Sequence, residues 1–192
     1  MALKTKEINE INEIKKINET KGPIAYRSKG EIVKEIKDML KFLGYDKEYS
    51  IIYDVKNRRE YGKEREDVFG LRTAEAVKEF QRDNGIKPTG DVDKKTLNKL
   101  TEIYQVTFVQ KNLQSLNYFH GDITGVMDDL TEGAIRQFKQ EKGFFDTKNT
   151  KIDDVLKKAI IREIERLDVL GGYIPSKTYV EPDRTFFVYN KN

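Results

Sequence analysis

Gly70-Leu71-Arg72-Thr73-Ala74-Glu75-Ala76-Val77-Lys78-Glu79-Phe80-Gln81-Arg82-Asp83-Asn84-Gly85 is the stretch that decides the fold. Ala74, Val77 and Phe80 recur at helical spacing, and Asn84-Gly85 suits a helix end. The same pattern returns further along. Thr73, Ala76, Val77, Phe80 and Gly85 are answered by Thr131, Ala134, Ile135, Phe138 and Gly143 at a constant offset of 58. Gly70 answers to Asp128, and both residue types serve at a helix N-cap.

Upstream, a second run repeats at another fixed offset. Val33, Ile36, Leu40 and Leu43 predict a helix with one apolar face, opened by a capping box of Ser28 and Glu31 and closed at Gly44. Ile36, Leu40, Leu43 and Tyr45 match Val109, Leu113, Leu116 and Tyr118 at an offset of 73. The offsets 58 and 73 differ by 15. That difference is the extra length of the first connection, 21 residues (46–66) against six (119–124). Two runs in fixed register, separated by one insertion, indicate an internal duplication.

Between and after these runs the pattern is also helical. Lys87-Pro88-Thr89-Gly90 predicts a turn, and Asp93 caps a helix carrying Leu97, Leu100 and Ile103. The second copy ends on a long helix whose inward residues are expected to be Ile152, Val155, Ala159, Ile160 and Ile164, stopped by Gly171-Gly172. Residues 46–66 read as irregular. Ile8, Ile11, Ile14 and Ile17 give the N-terminus an apolar helical stripe up to Gly22-Pro23. That stripe fits a helix docked on its own domain and a helix for a partner equally well. Thr185-Phe186-Phe187-Val188-Tyr189 is β-prone and has no obvious mate in a helical core, so pairing with another chain is expected.

The expected architecture is therefore mainly α, with two tandem three-helix modules. Residues 1–27 form an N-terminal amphipathic helix and linker, 28–104 the first module with its 46–66 insertion, 105–170 a divergent second module, and 171–192 an extended tail.

These residues resemble a known family. Gly30, Val33, Ile36, Leu40 and Leu43-Gly44-Tyr45 look like the opening helix of the peptidoglycan-binding family. Phe69-Gly70, Thr73, Ala76-Val77, Phe80-Gln81, Gly85-Ile86, Thr89-Gly90, Val92-Asp93, Thr96-Leu97 and Leu100 are similar to its central and closing segments. Lys37 stands where the family usually has glutamine. The second copy keeps that glutamine as Gln110, but Met127-Asp128 replace the aromatic-glycine pair, Lys139 replaces the later glutamine, and the proline-threonine-glycine turn is gone. The resemblance implies a compact three-helix fold and noncovalent binding of bacterial peptidoglycan.

Composition narrows the chemistry. Lys and Arg number 36 and Asp and Glu 33, a net charge of +3 in a chain that is 36% charged. Such a mixed surface lacks the basic excess of a dedicated nucleic-acid binder. With no cysteine, thiolate catalysis and cysteine-ligated metal are excluded. A single histidine, His120 in a Tyr-Phe-His-Gly turn, cannot supply a zinc amidase or a Ser-His-Asp triad. Gly121-Asp122-Ile123-Thr124-Gly125 lacks the Lys-Ser/Thr of a phosphate loop. No catalytic residue, cofactor or metal is expected. No apolar stretch is long enough to span a membrane, and Met1 to Glu7 precede no apolar secretory core.

Three roles remain. One is a wall-binding component of a phage tail or contractile injection apparatus, made in the cytoplasm and acting at the wall. Another is a structural adaptor in such an assembly. The last is the wall-targeting part of a lysin. For ligand contact, Tyr45, Asp67, Arg72, Gln81 and Asn84 are the candidates, because sugars and peptides need hydrogen bonds beside an apolar plate. Contacts to other subunits are assigned to residues 7–19, 46–66 and 173–192.

Overall fold

Helices form wherever the two offset-matched runs predict them. In a computed structural model, residues 22–45, 53–54, 59–60, 65–169, 179–180 and 185–186 are described. Among them are five helices: α1 (Glu31–Phe42), α2 (Leu71–Asp83), α3 (Lys94–Ser115), α4 (Asp129–Glu141) and α5 (Asp154–Val169). Strands are confined to two-residue ladders. β1 (Tyr53–Asp54) pairs antiparallel with β2 (Arg59–Glu60), and β3 (Tyr179–Val180) with β4 (Thr185–Phe186). The chain divides into two units, Met1–Leu100 and Thr101–Asn192.

Each unit closes around a core that includes the offset-matched phenylalanine, Phe80 in one and Phe138 in the other. In the first, Val33, Ile36 and Leu40 of α1, Val77 and Phe80 of α2 and Leu97 and Leu100 of α3 are buried. In the second, Val109 and Leu113 of α3, Ile135 and Phe138 of α4 and Leu156, Ile160 and Ile164 of α5 take those places. Burying each such side chain contributes about 1.5–3 kcal/mol before chain entropy is counted.

The helix ends repeat as faithfully as the faces. Gly44, at φ 86, lets its N–H reach Lys41 O while Tyr45 N–H reaches Leu40 O. This crossed pair satisfies the last carbonyls of α1. Asn117, at φ 65, does the same for α3, with Asn117 N–H to Gln114 O and Tyr118 N–H to Leu113 O. Gly85 and Gly143 close α2 and α4 alike. Helix α3 carries no glycine or proline, so it continues from the closing helix of the first copy into the opening helix of the second.

The first unit has a strap with no equivalent among the described residues of the second. Residues 24–30 bridge to both interhelical loops, Ile24 to Val92 and Lys29 to Val68. This strap overrides the expected capping box. Phe69 N–H donates to Ser28 O, and Gly30 N–H donates to Asp67 O. Ser28 Oγ instead accepts from Ala25 N–H at 3.1 Å, and α1 starts from Gly30 with no side-chain cap.

Four further expectations need correction. Ala76, not Ala74, faces the core of α2, because Thr73, Ala76, Val77, Phe80 and Gln81 share its buried face. Val155 is exposed, because the Asp153 carboxylate caps α5 through Leu156 N–H and sets Leu156, Ile160 and Ile164 inward. The β-prone tail has a mate within the chain: Thr185–Phe186 pairs with Tyr179–Val180. Likewise residues 46–66 are not wholly irregular, since they contain the β1–β2 ladder. The N-terminal stripe (7–19), most of the 46–66 insertion and Gly171-Gly172 lie outside the described residues.

Candidate functional site

Gln81 and Gln110 organise the loops on which any ligand surface must stand. Gln81 is 1% exposed and Gln110 fully buried, so their amides must be satisfied inside the protein. Gln81 Oε1 accepts from Gly90 N–H at 2.9 Å. Its Nε2 donates to Asp91 O at 2.9 Å, Thr96 Oγ1 at 3.1 Å and Thr89 Oγ1 at 3.3 Å. Gln110 repeats the pattern atom for atom. Its Oε1 accepts from Gly125 N–H at 2.9 Å, and its Nε2 donates to Val126 O at 3.1 Å, Thr131 Oγ1 at 2.9 Å and Thr124 Oγ1 at 3.3 Å.

The two clamped segments share a sequence. Thr89-Gly90-Asp91-Val92-Asp93-Lys94-Lys95-Thr96 and Thr124-Gly125-Val126-Met127-Asp128-Asp129-Leu130-Thr131 both read Thr-Gly-x-x-Asp-x-x-Thr. The aspartates cap the next helices, Asp93 Oδ1 accepting from Thr96 N–H at 2.7 Å and Asp128 Oδ1 from Thr131 N–H at 2.8 Å. These hydrogen bonds hold both carboxyls below their ordinary range, led by the Thr96 backbone for Asp93 and the Thr131 hydroxyl for Asp128. The clamp grips the loop after α2 in the first unit and the loop before α4 in the second.

Where a glutamine is lost, a lysine takes a simpler role. Lys37 Nζ donates to Arg65 O at 2.8 Å and Val68 O at 3.1 Å. Lys139 Nζ donates to Asn149 O and lies 5.7 Å from the Phe144 ring. An ammonium can only donate, so it gathers carbonyls and cannot receive a glycine N–H.

Of the five ligand candidates, the structure brings two together. Tyr45 packs edge-on against Phe80, centroids 5.4 Å apart, beside Asn84. Burial and the hydrogen bond to Asp83 push the Tyr45 phenol up to about 12. Tyr118, Phe138 and Glu141 reproduce this corner in the second unit: centroids 5.3 Å apart, Tyr118 Oη donating to Glu141 Oε2 at 2.7 Å, the phenol pushed up to about 12 by burial and that bond. Asp67 and Arg72 lie at the opposite end of α2. Twelve residue steps separate Arg72 from Asn84, about 18 Å along a helix. Gln81 is enclosed and fully engaged with its loop, so any effect on a ligand passes through that loop.

Two residues that sequence reasoning passed over stand near Asp67. Tyr26 is 46% exposed, and the Arg27 guanidinium lies 5.3 Å from its ring centroid. Arg27 N–H donates to Phe69 O at 2.8 Å, within the strap that also binds Asp67 O. Neither residue type signals a turn, so the sequence offered no cue.

Among the described residues, no group of three or more His, Asp or Glu side chains could hold a metal, and no helix is long and apolar enough to cross a membrane. His120 is exposed, as its turn position suggested. No curated protein and no solved structure matches the chain. A family model described as "Putative peptidoglycan binding domain" matches residues 29–100 and 104–149, more than half of the sequence. With both matches falling on the duplicated, clamp-bearing helices, the chain belongs to the peptidoglycan-binding domain family and carries two tandem copies of its module.

Proposed function

We propose that this protein is a non-catalytic anchor that holds bacterial peptidoglycan. The observation that carries this reading is the family match over both copies. Support comes from the preserved helix faces, helix ends and glutamine clamp, which keep the surface loops in fixed shapes. The first module is the better candidate for ligand binding, because its clamped loop is polar at Lys87, Thr89 and Asp91 while that of the second exposes Val126 and Leu130. Asp67 and Arg72 at one end, and Tyr45 and Asn84 at the other, are the proposed contacts.

The test is sedimentation with purified sacculi. The full chain should pellet with them and release neither reducing sugars nor free amines. A chain that stays in the supernatant defeats the reading, and hydrolysis defeats its non-catalytic part.

The finer proposal is a place in a phage tail or contractile injection apparatus, with residues 7–19, 46–66 and 173–192 meeting other subunits. Its support is compositional: the isoleucine stripe and the aromatic tail are apolar runs of the kind that partner contacts use. Deleting these segments should abolish incorporation into particles while leaving sacculus binding intact.

A further inference from the structure

Arg27 occupies a backbone position that, among the other described residues, only glycine or asparagine takes. Eight described residues have left-handed φ. Six are glycines, the seventh is Asn117, and the eighth is Arg27 at φ 75. Ala25-Tyr26-Arg27-Ser28 forms a turn closed by Ser28 N–H to Ala25 O at 2.9 Å, with positive φ at its third residue alone. That is the type II geometry, whose third residue is ordinarily glycine because a Cβ crowds the backbone there. The strap fixes the turn on both sides, so Arg27 cannot relax without losing its bond to Phe69 O.

A strained side chain persists where something other than stability holds it in the sequence. Here the side chain is exposed. Its sole attachment among the described residues is the ring of Tyr26, and stacking at an exposed site contributes less than the left-handed conformation of a bulky residue costs. Asp67 is held by Arg65 in a two-pronged pair, with both contacts at 3.1 Å. The result is a guanidinium with no carboxylate partner among the described residues, beside a half-exposed aromatic ring and held on a rigid turn. Guanidinium groups bind carboxylates through a planar fork, and an aromatic plate takes up methyl and C–H surface next to it.

We propose that Tyr26 and Arg27 form a ligand contact of the first module for the free carboxylate of a wall stem peptide, with Tyr26 covering the adjoining alanyl or N-acetyl methyl. This rests on the reading of the chain as a peptidoglycan binder and names the group it recognises. At the offset of 73 the strap corresponds to residues 97–103, which are helical in α3, so the described residues of the second module hold no equivalent turn there.

The test uses the full chain, with soluble muropeptides bearing free or amidated stem carboxylates titrated by calorimetry. The unaltered chain should prefer the free acid. Arg27→Gly should raise the melting temperature, since glycine relieves the turn, and yet weaken free-acid binding by about tenfold. Tyr26→Ala should weaken both ligands. Arg27→Gly that melts higher and binds as well as the unaltered chain overturns the proposal, as does one that melts lower, because the stacked pair would then be structural. Binding by the unaltered chain to neither muropeptide overturns the proposal together with the reading beneath it. Binding to both equally, unaffected by Arg27→Gly, overturns the proposal alone.

Discussion

The two modules solve one problem with the same device in different places. In the first, Gln81 on α2 holds the loop after it, while Lys37 on α1 gathers the carbonyls of the loop before it. In the second, Gln110 on α3 holds the loop before α4, while Lys139 on α4 draws in the loop after it. Each copy thus keeps one glutamine, one Thr-Gly-x-x-Asp-x-x-Thr segment and one lysine, with the assignments exchanged. A glutamine both donates and accepts, so it fixes a loop that turns a glycine N–H inward. A lysine tolerates many loop shapes, because any carbonyl within reach will serve. The exchange explains how the second copy could lose its proline-threonine-glycine turn without losing its core.

The largest effect should come from breaking a clamp. Gln81→Leu leaves the buried Gly90 N–H without its acceptor, and Gln110→Leu leaves Gly125 N–H in the same state. Each should cost about 1–3 kcal/mol in chemical denaturation. Lys139→Met should cost no more than about 1 kcal/mol, because methionine fills similar space and the freed Asn149 is exposed to water. Equal losses for Lys139→Met and Gln81→Leu would show that the lysine is no mere substitute.

A finer contrast concerns the two clamped glycines. Both are left-handed, Gly90 at φ 82 and Gly125 at φ 70, so alanine strains either by about 1–2 kcal/mol. A Cβ on Gly90 would meet the flexible Lys78 side chain at 3.0 Å, which can move aside. On Gly125 it would meet Ile103 Cγ2 at 2.8 Å and Thr107 Oγ1 at 2.9 Å, both β-branched and set on a helix. Gly125→Ala should therefore melt lower than Gly90→Ala, and the reverse order would mean that the loops are gripped differently.

The smallest effect is the acid response of one ion-paired carboxylate in the second module. Glu163 accepts from Arg166 at 2.6 Å and pairs with Lys142 at 2.8 Å, and the Arg166 bond leads in pulling its carboxyl from 4.5 to about 2. The folded value lies below the unfolded one, so the contribution is complete above pH 4.5 and fades as pH falls toward 2. Glu163→Gln should flatten the pH dependence of stability across that window, with a loss near pH 7 below about 1 kcal/mol. An unchanged acid profile would remove Glu163 from the account.

Much of this was legible in the residues. The offsets of 58 and 73 predicted which side chains would be equivalent, and the Tyr45–Phe80 and Tyr118–Phe138 contacts agree to 0.1 Å in centroid distance. The exchanged clamp was harder to see. Its two segments align at an offset of 35, across different loops, so a comparison of first loop with first loop passes over it. The Ser28 capping box failed because backbone pairing with Phe69 and Asp67 claimed the strap, a tertiary contact absent from local sequence. Val155 was misplaced because two apolar phases fit α5 equally well, and only the Asp153 cap selects between them. Among the candidate ligand residues, residue chemistry suggested Gln81 as a surface donor. Its depth depended on where the 89–91 loop folds back, which spacing does not encode.

Helix α3 bears on how such a protein can be taken apart. A protease or a genetic cut that separates modules usually finds an exposed, irregular joint. Here the seam between copies is twenty-two residues of unbroken helix, Lys94 to Ser115. A fragment beginning at residue 105 forfeits Ile103, whose side chain lines the space at Gly125. One ending at residue 100 leaves the final carbonyls of its last helix without the N–H groups that follow. Any cut or insertion within the seam therefore has to preserve helical phase to leave two working halves.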